Sequence, residues 1–89
     1  MIQMRYFASL RERLGTGAEV IPCPGLATPG RAITVADILL LLRQRGEPWN
    51  DALGGEQTLL AAVNQAMARL DTPVQDGDEV AFFPPVTGG

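Results

Sequence analysis

Apolar and polar residues alternate at the start of this chain. Ile2, Met4 and Tyr6 fall on every second position, with Gln3 and Arg5 between them. A period of two puts the first three on one face of a strand and Gln3, Arg5 and Phe7 on the other. Phe7 is then an aromatic ring on a polar face, where either a helix covers it or a partner does. Ser9 follows with Glu12 three places on, a capping-box spacing that predicts a short helix with Leu10 and Leu14 on its inner stripe. Gly15 stands where a left-handed cap would end it. Ala18 to Ile21 predicts a second strand paired back on the first.

Pro22, Pro24, Gly25, Pro29 and Gly30 then break the pattern into a loop of roughly ten residues. The period changes at Val35. Val35, Ile38, Leu39 and Leu42 recur at helical spacing, with Thr34 as N-cap and Asp37 in the first turn. Leu40 and Leu41 widen the stripe, which predicts a helix deeply packed on a sheet. Arg43 and Arg45 suit its C-terminal end, and Gly46 and Pro48 stop it. A short helical turn over 48–53 carries Trp49, expected to pack at the core or its rim, and Gly54-Gly55 release it. Leu59 to Asn64 predicts a strand, and Asn64-Gln65 turns into a short partner at 67–70. Asp76-Gly77 is a strong turn, and Glu79 to Phe83 is the last strand. By parity, Val80 and Phe82 face the core and Phe83 faces out.

The order β-β-α-β-β with late short helices predicts an α+β fold. It is a β-grasp, or ubiquitin-like, domain: a mixed sheet of about five strands packed on one main helix. In that topology the first and last strands are neighbours at the sheet centre. Phe7 and Phe83 would then meet on the face away from the main helix, as a candidate partner-binding patch. The expected division is a folded domain over 1–83 and a flexible tail over 84–89.

Composition narrows the chemistry. The 89 residues suit one small domain, and a hydrophobic fraction of 46% favours a folded globule. The net charge is −3 with no run of Lys or Arg, which argues against nucleic acid or an anionic membrane as partner. Met1 to Arg5 lacks the pattern of a secretory leader, and the single Cys23 fits a reducing cytoplasm. Cys23 itself has no neighbour that would make it reactive. There is no histidine, so the usual general base and the usual zinc or Cys–His sites are missing. No cofactor or metal is expected on the chain.

What remains is the end of the sequence. Gly88-Gly89 follow Phe82-Phe83-Pro84-Pro85-Val86-Thr87. Two prolines stop the strand, and glycine passes through channels too narrow for other residues. From Pro84 onward the chain can reach up to roughly 20 Å. That suffices to carry the terminal carboxylate of Gly89 into a partner's active site. No phosphate-binding G-x-x-x-x-G-K-[ST] run is present, so any ATP-dependent activation of that carboxylate happens in trans.

The run Asp76-Gly77-Asp78-Glu79-Val80-Ala81-Phe82-Phe83-Pro84-Pro85-Val86-Thr87-Gly88-Gly89 closely resembles the C-terminal signature of the sulfur-carrying small subunits of molybdopterin synthase. Leu59 to Gln65, Tyr6-Phe7-Ala8, Arg11-Glu12 and Leu14-Gly15 resemble the same family, so the likeness covers nearly the whole chain. The loop 22–31 departs from it by its length. The resemblance implies that an activating enzyme using ATP and Mg adenylates Gly89, with Gly88 beside it. Sulfur delivery then gives a thiocarboxylate. The chain pairs with a large catalytic subunit in a heterotetramer and donates sulfur to a cyclic pyranopterin, forming the dithiolene of molybdopterin. No turnover is expected of the chain alone. The resemblance adds Met67 to the patch of Phe7 and Phe83. It makes Pro84, Pro85, Val86 and Thr87 contacts of the inserted tail. Arg11 is a further candidate contact, with a solvated helix charge as the plainer reading. Alternatives are a sulfur carrier for another acceptor, such as the thiazole of thiamine or an amino acid, and a ubiquitin-like modifier of lysines. Asp76, Asp78 and Glu79 are candidates for steering a basic partner, although the turn alone accounts for Asp76.

Overall fold

The computed structural model describes residues 1–22, 32–54 and 59–84. The expectations for the 22–31 loop beyond Pro22, for Cys23 and for Gly55 lie outside the described residues. So do those for Pro85, Val86, Thr87, Gly88 and Gly89.

Strand β1 (Ile2–Tyr6) buries Ile2, Met4 and Tyr6 and exposes Gln3 and Arg5, as the alternation requires. It pairs antiparallel with β2 (Ala18–Ile21) and parallel with the last strand, β7 (Glu79–Phe83). Strand β4 (Leu60–Val63) pairs antiparallel with β7 and with β5 (Ala66–Ala68). The sheet order is β2-β1-β7-β4-β5, so β7 is central and β1 lies beside it. This is the mixed five-stranded sheet expected of a β-grasp. A two-stranded ribbon was not anticipated: β3 (Ile33–Thr34) pairs with β6 (Pro73–Val74). Two residues are too few to show a period.

The main helix α2 (Val35–Arg43) is capped as expected. The Thr34 side chain accepts from the Asp37 N–H, and the Thr34 N–H donates to Asp37 Oδ2 at 2.9 Å. Val35, Ile38 and Leu42 enter one core with Ile2, Met4, Tyr6, Leu10, Val80 and Phe82. Leu40 and Leu41 do not widen the buried stripe, because they are 55% and 38% exposed. Only one side of this nine-residue helix meets the core. The other side faces solvent whatever it carries.

Helix α1 (Ser9–Leu14) also differs from expectation. Ser9 and Glu12 form no capping box. Ala8 takes the N-cap place at φ 54° and ψ −132°, and no side chain caps the helix. The chain must reverse within one residue of β1, and that backbone turn moves the cap one place earlier. Gly15 closes the helix at φ 76°, donating to Arg11 O.

Helix α3 (Trp49–Gly54) brings Trp49 edge-on to Tyr6, with ring centroids 5.4 Å apart. Arg45 does not serve the end of α2. It stacks over Trp49 and grips Glu19 with both terminal nitrogens at 2.9 Å, while the Tyr6 hydroxyl donates to Glu19 at 2.8 Å. Burial and the Glu19 contact push the Tyr6 phenol far above its ordinary value. Burial alone would raise Glu19, but hydrogen bonds from Arg45 and Tyr6 outweigh it and hold the carboxyl low. The Glu19 hydrogen bond raises Arg45 in turn.

Candidate functional site

The site is the sheet face away from the core. Cross-strand register fixes which residues share it. Arg5 pairs with Ala81, Ala81 with Ala62, and Ala62 with Met67, so one row crosses β1, β7, β4 and β5. One step on, Phe83 pairs with Leu60, and Phe7 lies beside Phe83. The Phe7 and Phe83 rings meet edge to face with centroids 6.5 Å apart. Phe7 keeps its N–H on Phe82 O at 3.3 Å, so the sheet holds the aromatic pair although β1 ends at Tyr6.

Two alanines at the middle of the face leave a hollow of about 590 Å³. Ala62 and Ala81 lie among its walls, with Phe7, Ala8, Phe83 and Pro84 on one side and Arg5, Glu79 and Gln65 on the other. Arg5 Nε donates to Glu79 Oε1 at 2.9 Å. Met67, 66% exposed, stands on the edge strand next to Ala62 and borders the hollow from outside. The structure therefore brings Phe7, Phe83 and Pro84 together and sets Met67 beside them. Arg11 is set apart, in a second recess with Glu12, Gly15, Thr16 and Gly17. Only Ala8 borders both recesses.

The turns that deliver β7 to this face are tightly wired. Asn64 and Gln65 both take positive φ, 50° and 69°, which gives the two-residue hairpin between β4 and β5. The Asn64 side chain accepts from the Glu79 N–H and donates to Asp78 Oδ1, each at 3.0 Å. Gln75 N–H donates to Asp78 Oδ2 at 2.7 Å. That backbone donor, then Asn64, holds the Asp78 carboxyl below its usual range. Asp76 meets the N-terminal amine, and Gly77 at φ 94° makes the turn. The three acids are thus engaged within the chain.

Sequence reading singled out Phe7, Phe83, Pro84 and Met67, and named Glu79 only as a charge that could steer a partner; it missed Arg5, Ala8, Ala62, Gln65 and Ala81. Parity had put Arg5 beside Phe7 and Ala81 beside Phe83. The hollow needed the lateral order of strands, since a small residue becomes a floor only when its neighbours on both sides are known. Among the described residues, no three His, Cys, Asp or Glu side chains gather as a metal would require. No helix among them is long and apolar enough to cross a membrane.

The chain resembles known proteins in sequence and in fold. Residues 4–89 match the ThiS family. The chain is 42% identical over 89 residues to the molybdopterin synthase sulfur carrier subunit of Escherichia coli K12, covering 100% of both chains. The crystal structure of SAMP1, a small archaeal modifier protein from Haloferax volcanii, superposes with a TM-score of 0.72 at 27% identity, covering 99% of this chain and 98% of that one. A chain in the complex of subunits 1 and 2 of molybdopterin-converting factor from Helicobacter pylori 26695 gives 0.62 at 25% identity, covering 99% and 97%.

Proposed function

This chain belongs to the ThiS family, and from that premise we propose that it is the sulfur-carrying subunit of a molybdopterin synthase. The observation that carries the reading is the full-length match to the Escherichia coli sulfur carrier subunit, which covers the whole of both chains, Gly89 included. The exposed Phe7–Phe83 face supports it, because a carrier needs a surface on which its partners grip the body.

The chemistry follows from the group at the end. An α-carboxyl titrates near about 3.5 and is an anion in the cytosol. An anion repels nucleophiles, so the Gly89 carboxylate must be activated first. The activating enzyme joins it to AMP from ATP with Mg, releasing pyrophosphate. A sulfide-level sulfur nucleophile delivered by a partner then displaces AMP, and Gly89 ends as a thiocarboxylate. In the large subunit that sulfur passes to a cyclic pyranopterin, and water supplies the oxygen that returns Gly89 to a carboxylate. Donors of the partner stabilise the charge that develops. Gly88 lets the chain thread the channel, while Pro84 and Pro85 keep the body outside it. The chain is a protein co-substrate without turnover of its own. A heterotetramer with the large subunit and a cytosolic location complete the reading.

Removal of Gly89 tests it. Sulfur transfer is expected to vanish, with thermal unfolding and large-subunit binding nearly unchanged. Intact-mass analysis of native protein should show one oxygen exchanged for sulfur at the C-terminus. Transfer that survives the deletion would end the proposal. The likeness to SAMP1 gives one alternative a footing, a protein modifier. A ladder of lysine-linked adducts in cell extract would favour that reading instead.

A further inference from the structure

The sheet-face hollow carries a charge that an apolar docking site does not explain. Arg5 rises from the row of Ala81, Ala62 and Met67 and lines the hollow opposite Phe7 and Phe83. It is the sole cation among the hollow-lining residues. Its Nε is held by Glu79, and its two terminal amino groups make no hydrogen bond among the described residues. The two members of the pair differ in access. The Arg5 side chain is 52% exposed and that of Glu79 is 21% exposed. The pair therefore presents its positive edge outward.

A partner that covers this face takes that edge out of water. A desolvated guanidinium with open N–H groups is costly unless acceptors replace the lost water. The two terminal amino groups form a planar fork, which a carboxylate matches with two parallel bonds. Accepting the subunit reading above, we propose that Arg5 is a specificity-determining residue of this face. The large subunit sets an apolar side chain over Ala62 and Ala81 and a carboxylate on the open edge of Arg5. Glu79 is the positioning residue: its hold on Nε turns the fork toward the partner.

The test measures affinity for the large subunit of the same organism by calorimetry, at about 50 mM and about 500 mM salt, a range over which exposed charge pairs are screened. Wild-type binding should weaken as salt rises. Arg5→Met keeps an apolar stem and removes the charge. It should lose roughly tenfold to hundredfold at low salt and show little salt dependence, in line with one charge-assisted contact. Arg5→Glu should lose more and regain binding with a partner variant whose facing acid is changed to Arg. Melting temperatures of both variants should stay near wild type, because an exposed ion pair adds little stability. Wild-type-like binding of Arg5→Met at both salt levels overturns the inference alone. A wild-type chain that does not bind the large subunit overturns the subunit reading and this inference together. Salt-insensitive wild-type binding also overturns it, since a neutral acceptor would then be facing Arg5.

Discussion

Ala8 holds the most strained backbone seen among the residues of the site. Its φ of 54° with ψ −132° belongs to a region that glycine enters freely and a residue with Cβ does not. Such a conformation costs on the order of 1–3 kcal/mol. Glycine would remove that strain but would add about 0.4–1 kcal/mol of unfolded-state entropy. Strain is the larger effect, so Ala8→Gly should stabilise the fold by about 1 kcal/mol. For a domain this small the melting temperature should rise by roughly 4–8 °C. A fall in melting temperature would show that the alanine methyl packs better than its backbone suffers. The sequence placed the turn near Ser9 but could not show this strain. The S-x-x-E spacing supplied a cap, and the geometry of leaving a central strand overrode it by one residue.

At the scale of elements, burial sorts the leucines of α2. Leu42 is fully buried, whereas Leu40 is 55% exposed. Leu42→Ala should cost roughly 2–5 kcal/mol, as buried truncations do, while Leu40→Gln should stay within about 0.5 kcal/mol. Urea unfolding distinguishes these outcomes, and equal costs would mean that the outer face is covered. The link between β2, β1 and α3 makes a second prediction through Glu19. Folding holds its carboxyl below the ordinary value, so in acid the unfolded chain binds the proton first and stability rises with pH. The contribution is complete above the ordinary glutamate range and is lost as pH falls through the lowered folded value. Glu19→Gln should therefore cost about 1 kcal/mol near neutrality, after discount for partial exposure. The difference should disappear in strong acid. A cost independent of pH would mean that the carboxylate charge is not what matters. Periodicity made β1, β2, α2, β4 and β7 legible. It did not reveal the β3–β6 ribbon or the Arg45–Glu19 grip, which join residues far apart in sequence.

At the scale of the whole molecule, one sheet serves two incompatible needs, and strand parity separates them. Val80 and Phe82 point into a core shared with α2, while Ala81 and Phe83 point to the open face. Adjacent residues of one strand thus divide stability from recognition. Phe83 is only half-buried, its ring leaning on Phe7. Replacing it with Asp removes that aromatic pair and puts an anion beside the hollow, but leaves the helix-side core intact. Phe83→Asp should retain its far-ultraviolet dichroism and a cooperative melt, at a cost of about 1–2 kcal/mol for one surface aromatic pair. Binding to the large subunit should fall at least about thirtyfold, the loss expected when a central aromatic anchor is removed. Phe82→Ala provides the opposite case. It should cost about 3–5 kcal/mol of stability and weaken binding only through unfolding. If Phe83→Asp unfolds the chain, or if both variants lose binding in proportion to stability, then the two faces are not independent. The proposed carrier would then lack a separate surface by which a partner could hold the body.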